Sequence, residues 1–383
     1  MPLSPGVERI AVLRSNGIGD LVFALPALAA LRSAYPRARI TLLGRSWHEE
    51  LLAGRPGPVD EVVTVPPWRG VGDDREDPDA VEAFFEAMRE REFDLALQLH
   101  GGGANSNPFV SRLGARLTVG MRAPGAPALD LTFPYIYYQQ EVMRLLEVVS
   151  LVGATPVELE PRIAVTERDR EEARAFLSRM GGTAEDAPIA ALNAGAGDTR
   201  RRWPTEKFAQ VGDALMREGC RVVVTGSSAD RPLAAAIEGS MRSTPLIAAG
   251  ELSLGGVLGL FERSRVVVSN DSGPLHLAAA VAAPTVGIFW CGNLINAGPL
   301  FRSRRRPQIS WRLDCPVCGV DCTRGSCEHG ESFVADVAVD EVTEAAIDLF
   351  HSARAGSEGP TSPQALSPLG EPEQQGRGGG QEG

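Results

Sequence analysis

The sequence predicts an α/β protein made of two doubly wound halves, each a parallel sheet flanked by helices, facing one another across a cleft. Three observations carry this. Short runs of β-branched and aliphatic residues alternate along the chain with segments of helical periodicity, as in βαβ units. Three of the strands stop at small-residue turns that open onto helices, at Ser15–Asp20, Asn193–Asp198 and Ser269–Gly273. A proline-containing stretch from Thr155 to Thr166, with Pro156 and Pro161, separates two such series and reads as a linker. The expected division is 1–160, 161–351 and a disordered tail over 352–383, which is rich in Pro, Gly, Ser, Gln and Glu.

Composition bounds the function. With 383 residues, 43% hydrophobic and 23% charged, the chain can bury two cores. A net charge of -11 and a pI near 5.1 argue against a nucleic-acid partner, which calls for a clustered basic surface. The first residues lack a basic stretch followed by an apolar one, so no secretory signal is read. The long uncharged region Ser272–Phe301 is broken by Pro274, Pro284, Pro299 and His276 and does not read as a membrane span. The expectation is a cytoplasmic protein with no transmembrane segment, peripheral contact with the inner membrane remaining open.

In the first half, Arg9–Leu13 is a strand and Ser15-Asn16-Gly17-Ile18-Gly19-Asp20 a turn onto the helix Leu21–Ala34. Its G-x-G lacks a third glycine, and no suitably placed acid follows the next strand, so a dinucleotide site is not supported. Asp20, at a helix start, reads as a cap or as a base. Strands at Arg39–Leu43 and Val59–Val65 flank a helix over Ser46–Ala53, Pro66–Asp79 is a surface loop, and Ala80–Arg91 is helical. Asp94–Leu99 is a buried strand ending in His100-Gly101-Gly102-Gly103, which places His100 and Gly101 toward the cleft, since ligands lie outside the carboxyl ends of parallel strands. Ala123–Gln140 shows no period and carries Phe133, Tyr135, Tyr137 and Tyr138, either an acceptor loop or packing beneath one. Glu141–Val152 is helical.

The second half repeats the plan. Arg168–Met180 is a helix, Pro188–Leu192 a strand, and Asn193-Ala194-Gly195-Ala196-Gly197-Asp198 a turn followed by Arg200, Arg201 and Arg202. The helix Thr205–Arg217 leads to the strand Arg221–Thr225, closed by Gly226. Leu246–Ala248 is a short strand, and Ser253 caps a helix through Phe261. Val266–Val268 then stop at Asp271-Ser272-Gly273, Pro274 occupies the first turn of a helix, and Thr285–Phe289 is the next strand. Free N–H groups at such a helix start, with a glycine for close approach and His276 as a further donor, favour phosphate oxygens. Val339–Phe350 is a final amphipathic helix.

Three strings, in order, resemble glycosyltransferase family 9, the heptosyltransferase-like enzymes: R-S-N-G-I-G-D-L-V-F-A-L-P-A-L-A-A-L-R from Arg14, N-x-G-A-G with R-R-W-P from Asn193, and D-S-G-P-L-H-L-A-A-A from Asp271. D-L-A-L-Q-L-H-G from Asp94 also looks like the family pattern. The resemblance implies a GT-B fold and inverting transfer from a nucleotide-diphosphate sugar, ADP-linked above others and heptose among sugars, to a saccharide or glycolipid acceptor such as lipopolysaccharide core. It implies Asp20 as general base, with Asn16, Gly17, Gly19, His100 and Gly101 on the acceptor side. The donor side would be Asn193, Gly195, Gly197, Arg201, Thr225, Gly226, Asp271, Ser272, Gly273, Pro274 and His276. Arg201 stands where members commonly carry lysine, and Gly197 where many have a hydroxyl. No cofactor is implied for catalysis. A GT-B nucleotide-sugar epimerase and a non-catalytic nucleotide-sugar scaffold are the alternatives. A two-domain cleft also suggests hinge closure on binding.

Cys315, Cys318, Cys322 and Cys327 fall within thirteen residues, with His329 close by. In a chain read as cytoplasmic this suggests thiolate metal ligation, as a structural zinc, with reduced thiols and disulfides as the alternatives, and the spacing is not that of a standard zinc ribbon. Cys220 and Cys291 read as ordinary core or loop cysteines.

Overall fold

The computed structural model describes residues 6–72, 77–179 and 187–355. The first half runs β1 (Arg9–Leu13), α1 (Ile18–Ala34), β2 (Arg39–Gly44), α2 (Ser46–Leu52), β3 (Glu61–Thr64), α3 (Pro78–Arg89), β4 (Leu95–Gln98), α4 (Ser106–Ser111), β5 (Leu117–Arg122), β6 (Leu131–Pro134) and α5 (Glu141–Ser150). Its six strands are ordered β3-β2-β1-β4-β5-β6 and every pair is parallel. Helices cover both faces of such a sheet, so the inner strands are apolar throughout: in β1 and β4 only the first residue of β1 is exposed.

After an irregular stretch over 151–166 the second half follows: α6 (Glu167–Arg179), β7 (Ile189–Asn193), α7 (Thr205–Arg217), β8 (Arg221–Thr225), α8 (Arg231–Ser240), β9 (Leu246–Ile247), α9 (Leu254–Arg263), β10 (Ser264–Asn270), α10 (Gly273–Ala280), β11 (Thr285–Trp290), α11 (Cys291–Ala297), β12 (Arg305–Ser310) and α12 (Val339–Ala355). This sheet is ordered β12-β11-β10-β7-β8-β9, again all parallel. Strand order reverses between β1 and β4 in the first sheet and between β7 and β10 in the second, and open parallel sheets take ligands at such points. The three small-residue turns follow β1, β7 and β10. The doubly wound α/β class and the GT-B arrangement of two sheets are therefore what the fold is.

Where the structure departs from the sequence reading, the elements lie at edges or in short connections. Residues 123–140 contain the strand β6, half-exposed at a sheet edge; with a neighbour on one side only, it needs no full apolar alternation and tolerates Pro134. Arg305 and Arg306 of the arginine run at 304–306 begin β12, an edge strand of the second sheet, with Pro307 inside it. Helix α3 starts at Pro78 inside the stretch read as loop, because the Asp77 carboxylate accepts from the Ala80 N–H and proline fits the first turn. The helices α4, α8 and α11 are further elements of short connections. Helix α12 runs to Ala355, past the expected start of the tail; the rest of 352–383 lies outside the described residues. Among the described residues no helix is long and apolar enough to cross a membrane.

Candidate active site

The turns after β1 and β10 start helices whose N-termini meet. Helix α1 lies against α10, and the approach is close enough that a Cβ on Gly19 would fall 2.9 Å from the His276 ring and one on Gly273 would fall 2.8 Å from the Ile18 Cβ. Glycine is required on both sides for the two helix starts to share one space. Around them opens a cleft. Asn16, Gly17, Gly19, Asp20, Gly101, Tyr135, Tyr137, Glu141 and Arg144 line it from the first half; Gly197, Arg201, Asp271, Ser272, Gly273, His276, Asn293 and Asn296 line it from the second.

Asp20 caps its own helix by accepting the Gly17 N–H at 3.0 Å on Oδ2, while Oδ1 accepts Arg14 Nη2 at 3.0 Å. Each oxygen keeps a lone-pair direction free, and the side chain is 40% exposed to the cleft. Arg14 is buried and fully engaged: it also donates to Glu141 Oε1 at 3.0 Å, to Asp20 O at 2.9 Å and to Leu99 O at 2.5 Å. Glu141 in turn pairs with Arg144 at 2.7 Å. The base candidate is thus held by a network spanning β1, α1, β4 and α5.

On the opposite wall, Asp271 is buried and accepts Asn293 Nδ2 at 2.8 Å, with His276 Nε2 at 3.2 Å. Burial alone would push its carboxyl up, but His276, Arg201 and Asn293 outweigh this and hold it below the usual carboxylate range. Arg201 touches Asp271 only at 3.4 and 3.5 Å, and its Nε is shielded without a partner. Its guanidinium donors are left largely uncommitted beside the first turn of α10, whose leading N–H groups have no intrahelical acceptor. Arg144 Nε, Asn16 Oδ1 and Asn296 Oδ1, all on residues of this cleft, are likewise buried and unpaired. Native proteins seldom leave such groups unpaired, and four of them lie on residues lining this one cavity.

A family model for glycosyltransferase family 9 (heptosyltransferase) matches residues 81–308. The chain belongs to glycosyltransferase family 9. Lipopolysaccharide heptosyltransferase 2 of Salmonella typhimurium is 24% identical over 303 residues, 73% of this chain and 82% of that protein. Two solved structures share the fold. A family 9 glycosyltransferase from Veillonella parvula superposes with a TM-score of 0.73 at 21% identity, covering 90% of this chain and 97% of that one. The E. coli ADP-heptose lps heptosyltransferase II superposes at 0.70 and 19% identity, covering 91% and 99%. The protein is therefore a glycosyltransferase.

Several residues expected in the site of this family 9 enzyme do not reach the cleft. His100 is turned inward, accepting the Ser15 N–H at 3.2 Å on Nδ1 and meeting Gly70 O with Nε2 at 2.9 Å. Burial and the nearby Arg14 charge lower its pKa to about 4, so the ring is neutral and pins two loops together. Asn193 and Thr225 bond one another beneath the turn, Nδ2 to Oγ1 at 3.2 Å. Gly195 and Gly226 make room for Asp230, whose Cγ and Cβ lie 2.8 Å from where their Cβ atoms would be. Pro274 sits in the first turn of α10 without lining the cavity. Conversely, sequence reasoning gave no role to Arg14, Glu141, Arg144, Asn293 or Asn296. Arg14 stood in the quoted first string, but neither its burial nor its partner 127 residues away is visible there. An apolar recess adjoins the cleft past Phe23, His276 and Ala297, lined by Val22, Leu275, Phe289 and Phe301.

Proposed function

We propose that this glycosyltransferase transfers heptose from ADP-heptose to a saccharide of the lipopolysaccharide core, with inversion, at the cytoplasmic face of the inner membrane. The sugar, nucleotide and acceptor are suggested by the similar proteins, a lipopolysaccharide heptosyltransferase and an ADP-heptose lps heptosyltransferase. The chemistry is suggested by the cleft, and one observation carries it: Arg201, with its Nε unpaired and only long contacts from Nη1 to Asp271, lines one cavity with the start of α10 and the Asp20 carboxylate.

Asp20 takes the proton of the acceptor hydroxyl as its oxygen attacks the anomeric carbon. The bond from that carbon to the β-phosphate oxygen breaks on the opposite face, and the electron pair leaves with ADP. Negative charge gathers on the departing diphosphate, where Arg201, the N–H groups of the Gly273 turn and His276 stabilise it. No divalent ion takes part in this step. Arg14 is a positioning residue that fixes the direction of the Asp20 carboxylate.

The test is a nucleotide screen by thermal shift with ADP, UDP, GDP and CDP, followed by turnover of ADP-heptose with a core saccharide, with and without added magnesium. Asp20→Asn should lower kcat by about 10² to 10⁴-fold with ADP affinity unchanged. Arg201→Ala should weaken ADP binding by about tenfold to a hundredfold, the worth of a charge-assisted hydrogen bond. Full turnover in Asp20→Asn, or no diphosphate response in the wild type, would sink the reading.

A further inference from the structure

The segment between β12 and α12, residues 311–338, belongs to neither sheet and carries four of the six cysteines. Its backbone is tightly knotted. Cys315 N–H donates to Val320 O at 2.9 Å, Gly319 N–H returns to Cys315 O at 3.0 Å, and Gly319 takes the left-handed φ of 72° that the reversal needs. Within this turn the Val317 N–H points at Cys315 Sγ, 3.5 Å away, a donor suited to a metal-bound thiolate. Chain then loops back so that one ligand atom from each of Cys315, Cys318, Cys327 and His329 lies within 4.8 Å of the other three. A tetrahedral zinc with bonds of about 2.3 Å to sulfur and about 2.0 Å to nitrogen sets its donors roughly 3.5 to 3.8 Å apart, so small side-chain rotations close this cage.

The histidine supplies the second observation. His329 Nδ1 is shielded from solvent and has no hydrogen-bond partner. A buried ring nitrogen in that state is costly unless something takes its lone pair. Cys322 has another use: its Sγ donates to Val320 O at 3.4 Å and stands 3.9 Å from Cys327 Sγ, outside the set of four.

We propose that Cys315, Cys318, Cys327 and His329 bind one zinc ion as a closed structural site. Three thiolates and an imidazole in tetrahedral array are a soft donor set that selects zinc among common divalent ions and leaves no position open for catalysis. This alters the four-cysteine set expected from spacing by exchanging Cys322 for His329. The ion's role follows from what the knot holds. Immediately after His329, Gly330 O accepts Thr199 Oγ1 at 2.9 Å, Ser332 Oγ donates to Arg202 O at 2.6 Å, and Phe333 N–H donates to Arg200 O at 2.7 Å. The turn bearing Arg201 is therefore hung on the residues that the ion would anchor. From the other wall of the cleft, Tyr138 Oη donates to Thr323 O at 2.7 Å, inside the knot. Zinc thus acts as a positioning device for Arg201; this second step rests on Arg201 binding the donor diphosphate.

Elemental analysis of protein purified without chelator, and of the same protein reduced and reconstituted with Zn²⁺, should give about one zinc per chain. Cys315→Ser, Cys327→Ser and His329→Ala should each lose most of it, whereas Cys322→Ser and His329→Cys keep it. Co²⁺ exchanged into the site should show the visible bands of a tetrahedral thiolate complex. No stoichiometric metal after reconstitution, or cysteines recovered as disulfides, overturns the site. Retention in His329→Ala with loss in Cys322→Ser overturns the ligand set, and iron in place of zinc overturns the ion. Stripping the ion should weaken ADP binding severalfold and lower the melting temperature; metal loss with unchanged ADP affinity overturns the positioning role alone, and an Arg201→Ala protein that binds ADP normally points instead to a failure of the donor-site reading.

Discussion

His48 and His100 show how burial sets a residue's role against its sequence reputation. Both rings accept a backbone N–H on Nδ1, His48 from Arg45 at 2.9 Å and His100 from Ser15 at 3.2 Å. Burial, with the charges of Arg45 and Arg14 respectively, lowers both from 6.5 to about 4. Each is therefore neutral when folded and protonated when unfolded between those values. The unfolded chain binds more protons there, so stability rises with pH through the window and is lost as pH falls from about 6.5 toward about 4, by on the order of 3 kcal/mol per ring at the acid end. Urea midpoints should be flat above neutrality and drop between pH 6.5 and 5, before the depressed carboxylates Asp94, Asp169 and Asp271 take protons. His100→Gln should remove its share of the slope; identical midpoints at pH 7 and 5 in the wild type would contradict the assignment. A histidine followed by three glycines at a strand end gives no hint of this, because its partners, Ser15 and Gly70, are 85 and 30 residues away. Asp20 was legible as a residue of interest because its helix cap is local, made with Gly17 three positions earlier.

At the scale of elements, strand–turn–helix units announced themselves wherever both faces are buried, since continuous apolar runs between small-residue turns have few other readings. The edges β6 and β12 were hidden for the same physical reason in reverse: with half their surface open they carry arginine, proline and threonine. The meeting of α1 with α10 lay beyond reach, because nothing in either turn names the other. It yields a sharp prediction. A methyl group at Gly273 would fall 2.8 Å from the Ile18 Cβ, and backbone on both sides leaves little room to yield. Gly273→Ala should cost about 1 to 3 kcal/mol in stability as an overpacked contact. It should also lower kcat/KM by about tenfold to a hundredfold, since the anion-binding helix start moves relative to Asp20. Gly197, with nothing within 4 Å of its would-be Cβ and no left-handed backbone, is the control: Gly197→Ala should unfold within about 0.5 kcal/mol of wild type. Equal melting curves for the two variants would show that the helix starts are not in compulsory contact.

Across the whole molecule, the two sheets share a core. One buried cluster runs from Leu97 and Val12 in the first sheet through Leu28 of α1 and Leu145 of α5 to Leu277 and Ala278 of α10, and on to Val267 and Ala191 in the second sheet. The seam is also pinned by Arg55, which pairs with the buried Asp169 and donates to Ala164 O. Burial would push the Asp169 carboxyl up, yet Arg55 and the Thr166 N–H hold it below its ordinary range. Halves joined by a polar interface move freely by default, whereas a continuous apolar one resists shear and opening. A cleft between two sheets suggests hinge closure from the sequence alone; the shared core argues that ligand binding instead orders side chains such as Arg201 and Arg144 at the cleft. Small-angle scattering should accordingly give the same radius of gyration with and without saturating ADP, and a clear contraction would refute this. Asp169→Ala separates the causes. It leaves Arg55 buried without its counter-charge, at a cost of about 3 to 5 kcal/mol. If the ion pair were the latch, that variant should contract on ADP where the wild type does not; if the apolar cluster is, the variant loses stability and its scattering profile still ignores the nucleotide, which is the outcome the continuity of the core predicts.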